Sequence, residues 1–265
     1  MKIDKLYIVS LDWSKEAIDN ILVEVMKIGL PDIIPYEVVG IDGRQLTTHH
    51  MSLMGIKAYD DWNLDTGNVK VEDDENPFWH RDVTMGEIGC TLSHVAIWED
   101  AYKNGYDNIL VYEDDIVADN WSEGESWEKM DWEQLEKVKK LNYDLFYLGR
   151  VLQNGFDGVE DTPIDDMICK PGYSYTTHGY MLSKSGIKKI VENHLPKLKS
   201  MMFVVDEFLP SLYCETPRTE LNDIFTKDIN AYALNKNVVE QSRNVLEGNS
   251  LTEPDDIEDT YMNNI

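Results

Sequence analysis

The apolar positions along this chain fall into short blocks that switch between strand and helix spacing. Residues 6–11 (LYIVSL) are a short apolar run, which predicts a buried strand. Ser14 suits a helix N-cap, and Ala17, Ile18, Ile21, Leu22, Val25 and Ile28 then recur at helical spacing until Gly29. Residues 34–39 predict a second strand, closed by the Gly40-Ile41-Asp42-Gly43 turn. Strand, helix and strand in succession point to a parallel sheet with helices on its faces.

Residues 47–57 suit a short helix. Residues 60–82 are acidic and rich in turn formers, which predicts a long loop. Thr84 and Glu87 have the spacing of a capping box. The helix they start carries Ile88, Leu92, Val95 and Ala101 and stops at Asn104-Gly105. Residues 108–112 (NILVY) are a buried strand running straight into Glu113-Asp114-Asp115. An amphipathic helix is expected over 122–141, strands over 144–149 and 174–182, and a helix capped by Ser183 through residue 193. Val204 to Leu209 lead into Pro210 and an apolar turn. Residues 247–265 have little to bury and predict a mobile tail. With no repeat and no linker, residues 1–246 are expected to form one domain.

Composition narrows the function. Apolar residues are 42% of the total and charged residues 28%, the balance of a globular domain. No apolar stretch is long enough to span a membrane, and the N-terminus lacks the pattern of a secretory signal. The 50 acids against 24 bases leave a formal charge of -26, which disfavours nucleic acid as a partner. A bound divalent cation would still allow a nucleotide to bind. Cys90, Cys169 and Cys214 are widely spaced and read as ordinary reduced or buried thiols. Asn120-Trp121-Ser122 is a formal glycosylation sequence, read as chance.

Candidate chemistry concentrates in a few places. Strand alternation would put Glu113 and Asp115 on one side and Asp114 on the other, half of an oxygen site for Mn2+ or Mg2+. An exposed acidic strand end is the competing reading. Asp42 and Gly43 could meet a ribose or base, or be only a turn. Glu87, Ser93 and His94 lie on the capped helix, whose N-terminus could face an anion. Asp206 and Glu207 are a second acid pair. One of them could be a general base, or the two could simply begin a helix. For His178 and His94, packing is the simpler explanation.

The ordered series Gly86-Glu87-Ile88-Gly89-Cys90 with Ser93, His94 and Trp98, then Val111-Tyr112-Glu113-Asp114-Asp115, then Asp144-Leu145-Phe146-Tyr147-Leu148-Gly149, Gly179-Tyr180-Met181-Leu182-Ser183 with Gly186, and Val205-Asp206-Glu207-Phe208-Leu209-Pro210 resembles glycosyltransferase family 25. Within it the chain is most similar to the procollagen galactosyltransferase branch. The resemblance implies an α/β fold of GT-A type, a Rossmann-like mixed sheet flanked by helices. It implies UDP-galactose as donor, Mn2+ as cofactor and inversion at the anomeric carbon. The acceptor would be hydroxylysine in collagen-like polypeptide, with a glycan as the runner-up. Glu113, Asp114 and Asp115 become the metal motif, and Asp206 and Glu207 the catalytic candidates. Val9, Ser10, Leu11, Asp42, Gly43, Glu87, Ser93 and His94 would meet the donor, and Tyr175 and His178 the acceptor. A homodimer is compatible. The chain departs from the animal enzymes in having one such domain and no endoplasmic-reticulum address. Residues 236–244 also lack an expected histidine, a place that Glu240 or Gln241 could take.

Overall fold

The computed structural model describes residues 2–28, 34–60, 62, 82–118, 135–152 and 160–242. Most of the expected 60–82 loop, the first part of the 122–141 helix and the expected tail lie outside the described residues.

Eight strands form one mixed sheet in the order β2-β1-β3-β8-β5-β9-β7-β6. They are β1 (Lys5–Val9), β2 (Tyr36–Val39), β3 (Asn108–Glu113), β5 (Leu145–Leu152), β6 (Thr162–Pro163), β7 (Ile168–Lys170), β8 (Ser174–Ser183) and β9 (Ala231–Leu234). The expected strand–helix–strand opening is present, with β1 parallel to both β2 and β3. The sheet then turns mixed, because β8 runs antiparallel between β3 and β5. A small antiparallel pair, β4 (Ile116–Ala118) with β10 (Val239–Gln241), lies beside it.

Alternation along the strands divides the core in two. Tyr7, Val9, Ile109, Val111, Tyr147 and Tyr180 face α3 (Met85–Asn104), α5 (Lys184–Lys189), α6 (Leu195–Ser200) and α7 (Val205–Ser211). Leu6, Ile8, Leu110, Tyr112, Phe146 and Met181 face α1 (Lys15–Lys27), α4 (Leu135–Lys140) and the β4–β10 pair. The short α2 (Thr48–Leu53) and α8 (Thr219–Ile224) complete the α-helices among the described residues. The sheet buried on both faces accounts for the continuous apolar runs read as central strands.

Local signals act where the sequence placed them. Ser14 Oγ accepts from Ala17 N at 3.3 Å to start α1. Thr84 and Glu87 form the capping box of α3, with Thr84 N donating to Glu87 Oε2 at 2.8 Å. Gly105 ends α3 in the left-handed conformation. The helix capped by Ser183 continues through a π-helical turn, Ile190–His194, into α6. Trp62 departs from the expected polar loop. It is fully buried, stacks on Phe203 at 5.5 Å between centroids, and lies under the Arg218 guanidinium.

The turn after β2 presses against α3. A Cβ on Gly43 would lie 1.6 Å from the Met85 carbonyl oxygen, and one on Gly89 would lie 2.5 Å from the Gly43 nitrogen. Ser93 Oγ closes the contact, accepting from Ile41 N at 2.9 Å and donating to the Gly89 carbonyl at 2.8 Å. Backbone meets backbone here, so no side chain can yield. Gly43→Ala is therefore expected to cost on the order of 3 kcal/mol, a fall of about 6–12 °C in the thermal midpoint. An unchanged midpoint in calorimetry would show that the contact is looser than described.

Candidate active site

The site lies where β3 ends, beneath the second and third turns of α3. Alternation carries Glu113 to the same face as Ile109 and Val111, toward the helix. There Glu113 Oε1 lies 3.3 Å from His94 Nε2 and 2.6 Å from Thr177 Oγ1. Thr177 Oγ1 is also 2.9 Å from Asp206 Oδ1, on the first turn of α7. Two half-buried carboxyl groups from different elements thus meet at one buried hydroxyl.

Proton counting assigns their charges. Thr177 has one hydroxyl hydrogen and cannot donate to both acids. The hydroxyl donates to one carboxylate, and a protonated carboxyl supplies the other bond. Burial raises Asp206 well above the ordinary carboxylate range, and the neighbouring Glu113 charge adds to the effect. Burial also works to raise Glu113, but His94, Thr177 and His178 outweigh it and hold Glu113 below its usual value. The consistent chain is Asp206 donating to Thr177 and Thr177 donating to an ionised Glu113. On the far side, His94 Nδ1 is 2.8 Å from Tyr180 Oη, which accepts from Trp98 Nε1 at 3.1 Å.

Thr177 owes its position to an irregular strand. From Gly149↔Gly179 to Val151↔Tyr175, two residues of β5 oppose four of β8. Within this bulge Thr176 takes φ +69°, strained for a β-branched residue. Thr176 Oγ1 is 2.9 Å from His178 Nδ1, and His178 Nε2 is 3.2 Å from the Val239 carbonyl oxygen. A carbonyl only accepts, so Nε2 carries a hydrogen. A Cβ on Gly149 would lie 2.4 Å from both His178 Nε2 and Val239 O, so only glycine admits this crossing by β10.

The other expected residues separate. Asp114 and Asp115 belong to the turn after β3. Ser10 Oγ donates to Asp114 Oδ2 at 2.6 Å, tying Asp114 to the end of β1. Asp115 Oδ2 accepts from Gln241 Nε2 at 3.2 Å, which ties β10 to the acidic turn. Val9 is buried in β1, and Leu11 is exposed just beyond it. Asp42 Oδ1 caps Arg44 N at 3.0 Å, and the Arg44 guanidinium holds its carboxyl below the usual range. Glu87 serves the capping box, and Ser93 staples the β2 turn to α3. Glu207 is fully buried and accepts from the Tyr173 hydroxyl, while Tyr175 sits half-buried at the edge of the bulge. Sequence reasoning missed Thr177 and Cys90. No local signal marks Thr177, because the bulge sets its direction. Cys90 did have one, since it stands four residues before His94 on the same helix.

A divalent cation is implied by the resemblance, and the donor atoms fit one. Cys90 Sγ, His94 Nε2 and a Glu113 oxygen all lie within 4.8 Å of one another. Burial pushes the Cys90 thiol well up, and the neighbouring Glu113 charge pushes it further. An ionised carboxylate beside the thiol and imidazole favours a cation there.

The family described as "Glycosyltransferase family 25 (LPS biosynthesis protein)" matches residues 3–209. Procollagen galactosyltransferase 2 of Homo sapiens is 26% identical over 88% of this chain and 34% of its own length. The probable inactive glycosyltransferase 25 family member 3 of Bos taurus is 28% identical over 88% of this chain and 36% of its own. A glycosyltransferase 25 family member of Drosophila pseudoobscura pseudoobscura is 32% identical over 71% and 27%. The chain thus spans about a third of the length of these curated relatives.

The raised Asp206 makes stability depend on pH. The native state keeps a proton that the unfolded chain releases near the ordinary value of 3.8. Native stability therefore falls as pH rises through the folded value. Asn cannot ionise and still donates to Thr177. Asp206→Asn is expected to melt above the parent at pH 8 in EDTA, with the gap closing toward pH 4. A gap independent of pH would contradict the assigned proton. Thr177→Val should cost about 1–3 kcal/mol in urea unfolding, and Thr177→Ser should recover most of it. Equal losses in both variants would show that the hydroxyl does not carry the contact.

The match over residues 3–209 establishes that this chain belongs to glycosyltransferase family 25.

Proposed function

We propose that this chain transfers galactose from UDP-galactose to the hydroxyl of hydroxylysine in collagen-like polypeptide, by a metal-dependent displacement that inverts the anomeric centre. The single observation carrying the reading is the half-buried acid pair, Glu113 and Asp206, joined through Thr177. Membership of the family and the named procollagen galactosyltransferase relatives support the reaction class and the acceptor.

In this reading the pair divides the work. Glu113, held ionised, faces the donor diphosphate side with Asp115. A bound Mn2+, or Mg2+, would neutralise charge on the departing diphosphate. Once Asp206 has released its own proton to solvent, its carboxylate takes the proton of the acceptor hydroxyl as that oxygen attacks the anomeric carbon and the diphosphate departs. A carboxyl with a raised affinity for protons is a stronger base once ionised, which suits this step. Glu207, engaged by Tyr173, holds the first turn of α7 and so positions Asp206. Val9, Ser10, Leu11, Asp42 and Gly43 border the donor crevice at the ends of β1 and β2. Tyr175 and His178 shape the acceptor side. The charge of -26 suits a basic collagen-like partner.

A second reading is a nucleotide-sugar-binding module without turnover, favoured by the inactive members among the relatives. UDP release from UDP-galactose and Mn2+, measured with and without a hydroxylysine peptide, separates the two. Acceptor-dependent release is expected. Release without acceptor would indicate a hydrolase, and UDP binding with no release would indicate the binding module. Glycan acceptors in parallel test the runner-up substrate. Asp206→Asn and Glu113→Gln are each expected to lower turnover by about 10²–10⁴-fold with the fold intact. Asp115→Ala should abolish stimulation by the cation. Full metal-stimulated activity in Asp115→Ala would remove Asp115 from the metal motif.

A further inference from the structure

We infer that Cys90, His94 and Glu113 form a thiolate-containing site for a borderline-soft divalent cation of the zinc class, built into the helix side of the acid pocket. The inference rests on the reading that Glu113 faces a cation, but it changes which residues hold the ion. The expected motif drew all its ligands from the acids at the end of β3. On the structure, the atoms nearest Glu113 include a sulfur and an imidazole nitrogen from α3.

Three observations carry the site. Cys90 and His94 are four residues apart on α3, so their side chains stack on one face of the helix. That face looks onto the end of β3, and the three donor atoms lie within 4.8 Å of one another. His94 Nε2 and Glu113 Oε1 are already 3.3 Å apart. Donor atoms sharing a tetrahedral zinc ion at about 2.0–2.3 Å are separated by roughly 3.3–3.6 Å, so this edge has the required length and only Cys90 must close in.

The surroundings match as well. A metal-bound histidine donates its other ring nitrogen to an oxygen, and His94 Nδ1 lies 2.8 Å from Tyr180 Oη. A bound carboxylate is itself steadied by hydrogen bonds, and Thr177 Oγ1 lies 2.6 Å from Glu113. A donor set of sulfur, nitrogen and one carboxylate oxygen favours zinc or cobalt over manganese or magnesium, which take mainly oxygen ligands. With three protein ligands, the fourth position stays open to water or to a phosphate oxygen.

Cobalt reads the sulfur directly. Co2+ added to the reduced, metal-free full chain is expected to give a thiolate-to-cobalt charge-transfer band in the near ultraviolet, lost on adding Zn2+. Cys90→Ser should lose the band and bind Zn2+ about tenfold or more weakly. Cys169→Ser and Cys214→Ser should keep it, since those thiols bond Asp161 and the Pro210 carbonyl instead. As a second measurement on the unaltered protein, Zn2+ should protect Cys90 from alkylation, read by peptide mass spectrometry. Absence of the band, its survival in Cys90→Ser, or alkylation of Cys90 unaffected by Zn2+ would each overturn the inference. None of these outcomes touches acceptor-dependent UDP release with Mn2+, which decides the proposed reaction separately.

Discussion

Two half-buried carboxyl groups and one hydroxyl hydrogen set the terms for this site. Glu113 and Asp206 come from opposite sides of the α3 face and meet at Thr177. Both cannot ionise cheaply in so little water, so charge and proton divide between them. His94 and Thr177 stabilise charge on Glu113, while burial and that same charge keep the proton on Asp206.

Rigid surroundings make the arrangement possible. On one side, the turn after β2 sits against the N-terminus of α3 with backbone touching backbone, which fixes α3 and therefore Cys90 and His94. On the other, β10 crosses over Gly149 and locks His178 to the Val239 carbonyl. Between them β8 bulges, and a strained Thr176 turns Thr177 into the pocket. The strain sits one residue from the shared hydroxyl, where it positions a group that the regular strand register would place elsewhere.

The expected site residues divide into two kinds. Ser93, Glu87 and Asp42 use their polar atoms to hold helix and turn together. Glu113 and Asp206 face the pocket with their carboxyl groups, and Asp115 reaches β10 through Gln241. A motif read as a string of contact residues is, in space, a few reactive groups and the scaffold that aims them.

Much of the fold could be read from the chain. The capping box of α3, the Ser14 and Ser183 caps and the apolar runs of β1, β3, β5 and β8 are local signals, and local physics decided them. The acids ending β3 were visible for the same reason, since an acidic cluster abutting a buried strand is unusual at short range. The short strands β4, β6, β7, β9 and β10 left no such mark, because their pairing partners are distant and set their existence. Buried Trp62 looked like part of a polar loop because its cover, Phe203 and Arg218, lies far along the chain. The partners of Glu113 were hidden likewise: Thr177 arrives by a bulge and Asp206 by the first turn of a helix almost a hundred residues away. Sequence alone determined which groups the chain owns and which elements carry them. Only tertiary structure decided which acid keeps the proton, because that depends on distance and burial, and neither is a local property.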